Sequence, residues 1–127
     1  MQLNIIVIDD SAVQLAISSK LIQKNKHLNL VGTYSNPLLG LNAVNDFNNK
    51  IDVVLLDVEM PEIDGFALKK LFNRSVLVIV NSTRSSFEQQ AYESGAVDFL
   101  AKPLNSSKID VVVRKLLKSN SEIAIAS

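Results

Sequence analysis

The stretch IIVIDDSA, Ile5 to Ala12, delivers two adjacent carboxylates, Asp9 and Asp10, at the end of four branched apolar residues. A run that is apolar on both faces, rather than alternating, fits a strand with helices packed over both sides of its sheet. The acids then fall where the strand ends, and Ser11 behind them is a helix-starting residue. Working outward, four more runs rich in Val, Ile and Leu follow the same pattern: Leu28 to Val31, Ile51 to Leu56, Val76 to Val80 and Val97 to Ala101. Each is expected to be a strand, with Leu3 to Ile8 the first.

Segments of helical period lie between these runs. Val13, Ala16, Ile17 and Leu21 share a face across 11 to 24, and Leu41, Val44 and Phe47 across 37 to 48. Phe66, Leu68, Leu71 and Phe72 mark a third helix, and Phe87, Ala91 and Tyr92 a fourth. A fifth, from about 106 to 117, turns Ile109, Val112, Val113 and Leu116 inward. Asn36-Pro37, Ser85 or Ser86 ahead of Glu88, and Ser106 or Ser107 supply start signals. Strand then helix, five times over, implies right-handed crossovers and a doubly wound parallel α/β sheet. Ligands of such sheets bind beyond the carboxyl ends of the strands.

Length and composition narrow the class. A chain of 127 residues suits one domain, and its 47% hydrophobic and 20% charged content suits a globular one. No apolar run approaches the roughly 20 residues of a membrane span. Thirteen basic residues balance thirteen acidic ones, so there is no overall positive field for nucleic acid, and direct nucleic-acid binding is not expected. The absence of cysteine removes disulfides and thiolate metal sites and fits a reducing compartment. MQLNIIVIDD lacks the basic region and long apolar core of a secretory signal, so a cytoplasmic location is expected. Residues 1–118 read as the domain, and Ser119 to Ser127, small and polar, as a frayed tail or the start of a linker.

The polar residues at the strand ends form one group. Strand one ends at Asp9-Asp10, strand three at Asp57, strand four at Asn81-Ser82 and strand five just before Lys102-Pro103. Singly, each has a plain reading, since an acid after a strand caps a helix and a Lys-Pro makes a turn. Together, three carboxylates, a hydroxyl and an amine on one sheet edge are more than caps account for. Carboxylates held close raise one another's pKa unless a cation neutralises them. An oxygen-only set suits a hard ion such as Mg²⁺, or Mn²⁺ in its place. An Asp beside such an ion can attack phosphorus and form an acyl phosphate, with the lysine and the serine hydroxyl on the phosphoryl oxygens.

Taken in order, IIVIDDSA, VVLLDVEMPEIDG, VIVNSTRS and GAVDFLAKPL resemble the motifs of the response-regulator receiver domain, the phospho-acceptor module of two-component signalling. The resemblance covers about residues 2 to 118 and implies a five-stranded (βα)5 sheet of flavodoxin-like order 2-1-3-4-5. By position it implies Asp57 as the phosphorylated aspartate. Asp10 and Asp57 become Mg²⁺ carboxylates, helped by Asp9 through water and by the backbone carbonyl of Glu59. Lys102 matches the family's lysine, with Pro103 after a cis peptide bond, and Phe99 the switch aromatic. Met60, Pro61 and Gly65 shape the loop after Asp57.

Strand four departs from the common pattern. Many receivers carry Thr or Ser about 22 residues before the lysine, where this chain has Val80. Receivers of LytTR-type transcription regulators, with the hydroxyl about 20 residues before the lysine, match better and place Ser82 in the switch position, with Thr83 the fallback.

The resemblance implies phosphoryl transfer from a sensor histidine kinase to Asp57, the domain catalysing only its own phosphorylation and dephosphorylation. Ser82 and Lys102 would hold the phosphoryl oxygens, Phe99 would turn inward, and the face of helix four, strand five and helix five would change. That face would control an output domain or downstream protein, with a homodimer formed on phosphorylation. Two other classes compete. A Mg²⁺-dependent phosphohydrolase working through an aspartyl phosphate would want D-x-D, where this chain has Asp57-Val58-Glu59. A pseudo-receiver that only binds partners would not need the intact acid set.

The remaining residues have plain readings. His27 has no histidine or cysteine partner, and Lys24-Asn25-Lys26 and Lys69-Lys70 read as solvated helix ends. Phe47, Phe66, Phe72 and Phe87 are expected in or near the core, and Tyr34 and Tyr92 with the ring buried and the hydroxyl in water.

Overall fold

The structure is a computed structural model and describes residues 2–126, with side chains through 118. The strands are β1 (Leu3–Ile8), β2 (Leu28–Tyr34), β3 (Val53–Asp57), β4 (Leu77–Ser82) and β5 (Asp98–Ala101). They alternate with α1 (Ala12–Gln23), α2 (Pro37–Asn45), α3 (Gly65–Lys70), α4 (Glu88–Glu93) and α5 (Ser106–Ala126). All strand pairs are parallel and the order is β2-β1-β3-β4-β5, the order the resemblance implies.

Strand periodicity divides the core in two. Ile6, Ile8, Val54, Leu56, Val78 and Val80 face α2, α3 and α4, where they meet Val44, Phe66, Leu68 and Ala91. Ile5, Val7, Val53, Leu55 and Ile79 face the other way, towards Ile22 of α1 and Ile109, Val112 and Leu116 of α5. Alternate residues of the three central strands, β1, β3 and β4, therefore enter different cores, which is why those strands carry apolar residues on both faces, whereas the edge strand β2 is partly exposed. Each fully buried Leu or Ile contributes about 1.5–3 kcal/mol relative to exposure.

Several elements differ from the sequence expectation. In α1 the buried positions are Ser18 and Ile22, with Leu15 and Leu21 packed on the core, while Val13 is 67% exposed and Ala16 is also exposed. The helix is apolar on several sides, so period alone does not select its inner face. Helix α2 stops at Asn45 and not near 48, which leaves Phe47 83% exposed. Arg74 causes the stop by donating to the carbonyls of Val44, Asp46 and Asn49, at 3.2, 2.7 and 2.6 Å, while the Asn45 side chain bridges to Leu71 O and Asn73 N. Carbonyls left over at a helix end need such donors.

Helix α3 ends at Lys70, short of Leu71 and Phe72. Ser85–Phe87 forms a 3-10 turn ahead of α4, and neither serine caps it. Asn105 caps α5 in place of Ser106 or Ser107, its Oδ1 accepting from Lys108 N at 2.9 Å. Helix α5 runs to Ala126, past the expected end at 117 and through most of the segment expected to fray, for no Gly or Pro interrupts it. At the end of α4, Gly95 has φ +91°, and the N–H groups of Gly95 and Ala96 donate to Tyr92 O and Ala91 O. This left-handed closure requires glycine.

Two close approaches set up the carboxyl edge of the sheet. Lys102 N donates to Ser82 O at 2.8 Å, and the Lys102–Pro103 peptide is cis, as the resemblance implies. In the loop after β3, Gly65 N donates to Val58 O, and a Cβ on Gly65 would lie 2.5 Å from both Asp57 O and Val58 Cα. Only glycine lets α3 start against the backbone of Asp57.

Candidate functional site

Asp57 ends β3, Asp9 and Asp10 follow β1, and the strand order makes β1 and β3 neighbours at the point where the order reverses. One carboxylate oxygen from each of Asp9, Asp10 and Asp57 lies within 4.8 Å of the others. Asp9 and Asp57 are buried and Asp10 sits exposed at the rim. Lys102 comes in from the end of β5, with its Nζ 2.8 Å from Asp9 Oδ2 and 3.7 Å from Asp57 Oδ1. Asp9 Oδ1 also accepts from Ser11 N, and Asp57 Oδ1 from Glu59 N, each at 3.0 Å.

Ser11 caps α1, its Oγ accepting from Gln14 N at 3.3 Å, so the turn that starts the helix also fixes Asp9. These acids line an open cavity of about 240 Å³ together with Glu59, Thr83 and Lys102. At about 30 Å³ per water, that is room for a hydrated ion and a phosphoryl-sized group.

Burial, first, and then the charges of Asp9 and Asp10 push the Asp57 carboxyl up to about 7, against the opposing pull of Glu59 N–H and Lys102. One ammonium does not neutralise three acids. The donor set is all oxygen, compact and short of positive charge, which fits a hard divalent cation. Asp9, Asp10 and Asp57 are the residues that could hold it.

Ser82 is 1% exposed, and its hydroxyl donates to Glu59 Oε1 at 2.7 Å while accepting from Arg84 N at 3.0 Å. Thr83 Oγ1 lies 3.5 Å from the same Glu59 oxygen and lines the cavity. Arg84 Nε approaches Glu59 Oε2 at 3.5 Å. The sequence reading gave Glu59 a role only through its backbone carbonyl. Its side chain instead joins the β3 loop to the β4 end, a link that no local spacing announces.

Phe99 is 8% exposed and belongs to the apolar cluster of Val80 and Ala91. Its ring points inward in this structure. On the other face of β5, Asp98 accepts from Phe99 N, Tyr92 Oη and Lys115 Nζ, at 2.8, 2.9 and 3.0 Å. Burial acts to raise the Asp98 carboxyl, but these donors outweigh it and hold it below its ordinary value. Burial and Asp98 together push the Tyr92 hydroxyl up. The expectation that the Tyr92 hydroxyl points to water therefore fails, because Asp98 is in reach. Lys69 is not merely solvated either, since its ammonium donates to Ser94 O and ties α3 to the end of α4.

A doubly wound sheet with three acids and a lysine at its switch point is the arrangement that the sequence resemblance implies for a receiver domain, and comparison with known proteins shows that family. The chain belongs to the response regulator receiver domain family, whose model matches residues 5–114. It is 30% identical, over 97% of its length, to an uncharacterized response regulatory protein of Vibrio parahaemolyticus. It is 36% identical, over 80% of its length, to a protein-glutamate methylesterase/protein-glutamine glutaminase of Burkholderia thailandensis. The chain spans 51% and 29% of those two relatives. The fold matches the response regulatory domain of protein mrkE from Klebsiella pneumoniae, with TM-score 0.81 and 24% identity over 94% of this chain and 99% of that one. No helix among the described residues is long and apolar enough to cross a membrane.

Proposed function

We propose that this chain is a working receiver, one that takes a phosphoryl group onto Asp57 from a phosphohistidine of a sensor histidine kinase. The observation that carries the reading is the burial of Asp57 beside two further carboxylates with a lysine in reach. An Asp57 oxygen attacks phosphorus, the P–N bond breaks, and the imidazole leaves with the electron pair. The chain's own residues supply position and charge: Glu59 N–H holds one oxygen of Asp57, leaving the other free to attack. Lys102 moves from Asp9 towards the arriving phosphoryl oxygens, and the Ser82 hydroxyl, released from Glu59, donates to another. Mg²⁺, held by Asp9, Asp10, Asp57 and the Glu59 carbonyl, would neutralise charge on the acids and on the phosphoryl group when bound.

On this reading the chain catalyses its own phosphorylation and dephosphorylation only. Residues 1–118 form the receiver, and the rearranged Ser82 region alters the face of α4, β5 and α5 towards an output domain, a downstream protein or a second copy. Its place is the cytoplasm, where such kinases present their phosphohistidine. The test is incubation with acetyl phosphate and Mg²⁺ and measurement of intact mass. One phosphoryl group should be gained by the wild type and none by Asp57→Asn. Equal labelling of the two proteins would overturn the assignment.

A further inference from the structure

Asn81 stands in strand register with Asp57 on β3 and with Leu100 on β5. Two residues before it, Ile79 lies in the core shared with α1 and α5, so the strand period puts the Asn81 side chain on that same face, one layer nearer the site. Asn81 is 1% exposed, and its Oδ1 is buried with no hydrogen-bond partner among the described residues. An unpaired buried carbonyl costs about 1–3 kcal/mol. Leu77 to Val80, the rest of the strand before it, are all apolar, so a hydrophobic residue would fit the pattern without that cost.

The candidate donor for this oxygen is Lys102. The lysine starts at the end of β5, while Asp9 and Asp57, which its ammonium approaches, belong to β1 and β3. Because β4 lies between β5 and β3, the side chain has to cross β4 near its carboxyl end, where Asn81 is the last residue but one. An ammonium has three donors. Asp9 takes one at 2.8 Å, and Asp57, at 3.7 Å, lies outside hydrogen-bond range. There is thus an ammonium with donors to spare and an acceptor without a donor on one crossing path.

We infer that Asn81 is a positioning residue for phosphoryl acceptance: its side-chain carbonyl accepts a proton of Lys102 when the ammonium leaves Asp9 for the phosphoryl group on Asp57. The inference rests on the receiver reading and adds a group to it. The move from β1 towards β3 brings the ammonium one strand closer to β4, and the bond to Asn81 holds it over the phosphoryl oxygens. The oxygen that is unpaired at rest is the one that is used in the reacting state.

The test compares Asn81→Val with Asn81→Thr, two side chains of one shape that differ in a hydroxyl. Urea unfolding is measured first, and Asn81→Val should be at least as stable as the wild type because it removes an unpaired polar group. Labelling with acetyl phosphate and Mg²⁺ is then followed over a range of acetyl phosphate concentrations. Asn81→Val should show a maximal rate about tenfold lower at an unchanged half-saturating concentration, as expected for one lost bond to a charged donor. Asn81→Thr, which keeps an acceptor, should stay within about threefold of the wild type. Asn81→Ala serves as a second apolar replacement with the same expectation as Val. Wild-type rates in the Val and Ala variants, or a Thr variant as slow as Val, would overturn the role of Asn81 alone. A wild type that takes no label at all would instead bring down the receiver reading, and this inference with it.

Discussion

Lys102 bonds to Asp9 at 2.8 Å and stands off from Asp57 at 3.7 Å, so the lysine is held by the acid that follows β1 and not by the proposed phosphoryl acceptor. The lysine and Asp9 side chains are 8% and 2% exposed, and removing the ammonium leaves a buried carboxylate beside two others with no local cation. Breaking a buried pair from one side costs several kcal/mol. Lys102→Ala should therefore lose about 3 kcal/mol of unfolding free energy at pH 8, and saturating Mg²⁺ should restore part of it by binding the folded state alone. Urea titrations with and without Mg²⁺ measure both effects, and an unchanged stability would mean that Asp9 needs no partner.

Asp57 makes the fold sensitive to pH. The folded chain keeps this proton up to about pH 7, whereas the ordinary value is 3.8, so between those limits the folded state binds a proton that the unfolded state has released. The stability that this proton provides is complete below about pH 4 and is lost as pH rises through 7. A shift of about three units corresponds to something on the order of 4 kcal/mol. Asp57→Asn cannot lose a proton, so it should match the wild type near pH 4 and be the more stable protein by several kcal/mol at pH 8. A stability difference independent of pH would contradict the burial and repulsion assigned to Asp57.

The fold was legible because both-face apolar runs such as Ile5 to Ile8 leave little choice but a covered parallel sheet, and the acids at their ends follow from the chain order. Asp9, Asp10, Asp57 and Lys102 could be grouped from sequence since all four lie at strand ends. What escaped were lateral contacts. Phe47 looked like core because its helix seemed to continue, but Arg74, far along the chain, gathers the carbonyls that end α2. The inner face of α1 was hidden by apolar residues all round. Glu59 and Asn81 gain their neighbours from adjacent strands, Glu59 through the Ser82 hydroxyl and Asn81 through its register with Asp57, and no spacing within one segment reveals that.

Glu59 holds the Ser82 hydroxyl at 2.7 Å, a bond that would oppose the hydroxyl's proposed use by a phosphoryl group. A hydrogen bond to a charged acceptor contributes about 1.5–3 kcal/mol, part of which is recovered from water when it breaks. Glu59→Ala should bind beryllofluoride, a stand-in for the phosphoryl group, about fivefold more tightly in the presence of Mg²⁺, since about 1 kcal/mol of resting-state bias is removed. Ser82→Ala should bind it more weakly than the wild type. Calorimetric titration of the three proteins tests the pair of expectations, and identical affinities would show that Glu59 does not restrain the serine.

Gly65 sets the loop that presents Asp57, and its replacement separates local strain from damage to the site. A methyl group there would lie 2.5 Å from Asp57 O and from Val58 Cα, both backbone atoms that cannot rotate aside. The loop has to move, at a cost of about 2–3 kcal/mol, and it moves Asp57, the proposed phosphoryl acceptor. Gly95 offers the control. Its φ of +91° makes an alanine there strained, but the new methyl group would meet nothing closer than Lys69 Nζ at 3.6 Å, outside the acidic cavity. Gly95→Ala should lose about 1 kcal/mol and label at the wild-type rate. Gly65→Ala should lose more stability and label at least about tenfold more slowly, since a misplacement of about 1 Å near reacting atoms is enough for such a loss. Urea unfolding and acetyl-phosphate labelling of the two variants decide the matter: equal labelling would mean that the approach of α3 to Asp57 serves packing and has no part in positioning the carboxylate.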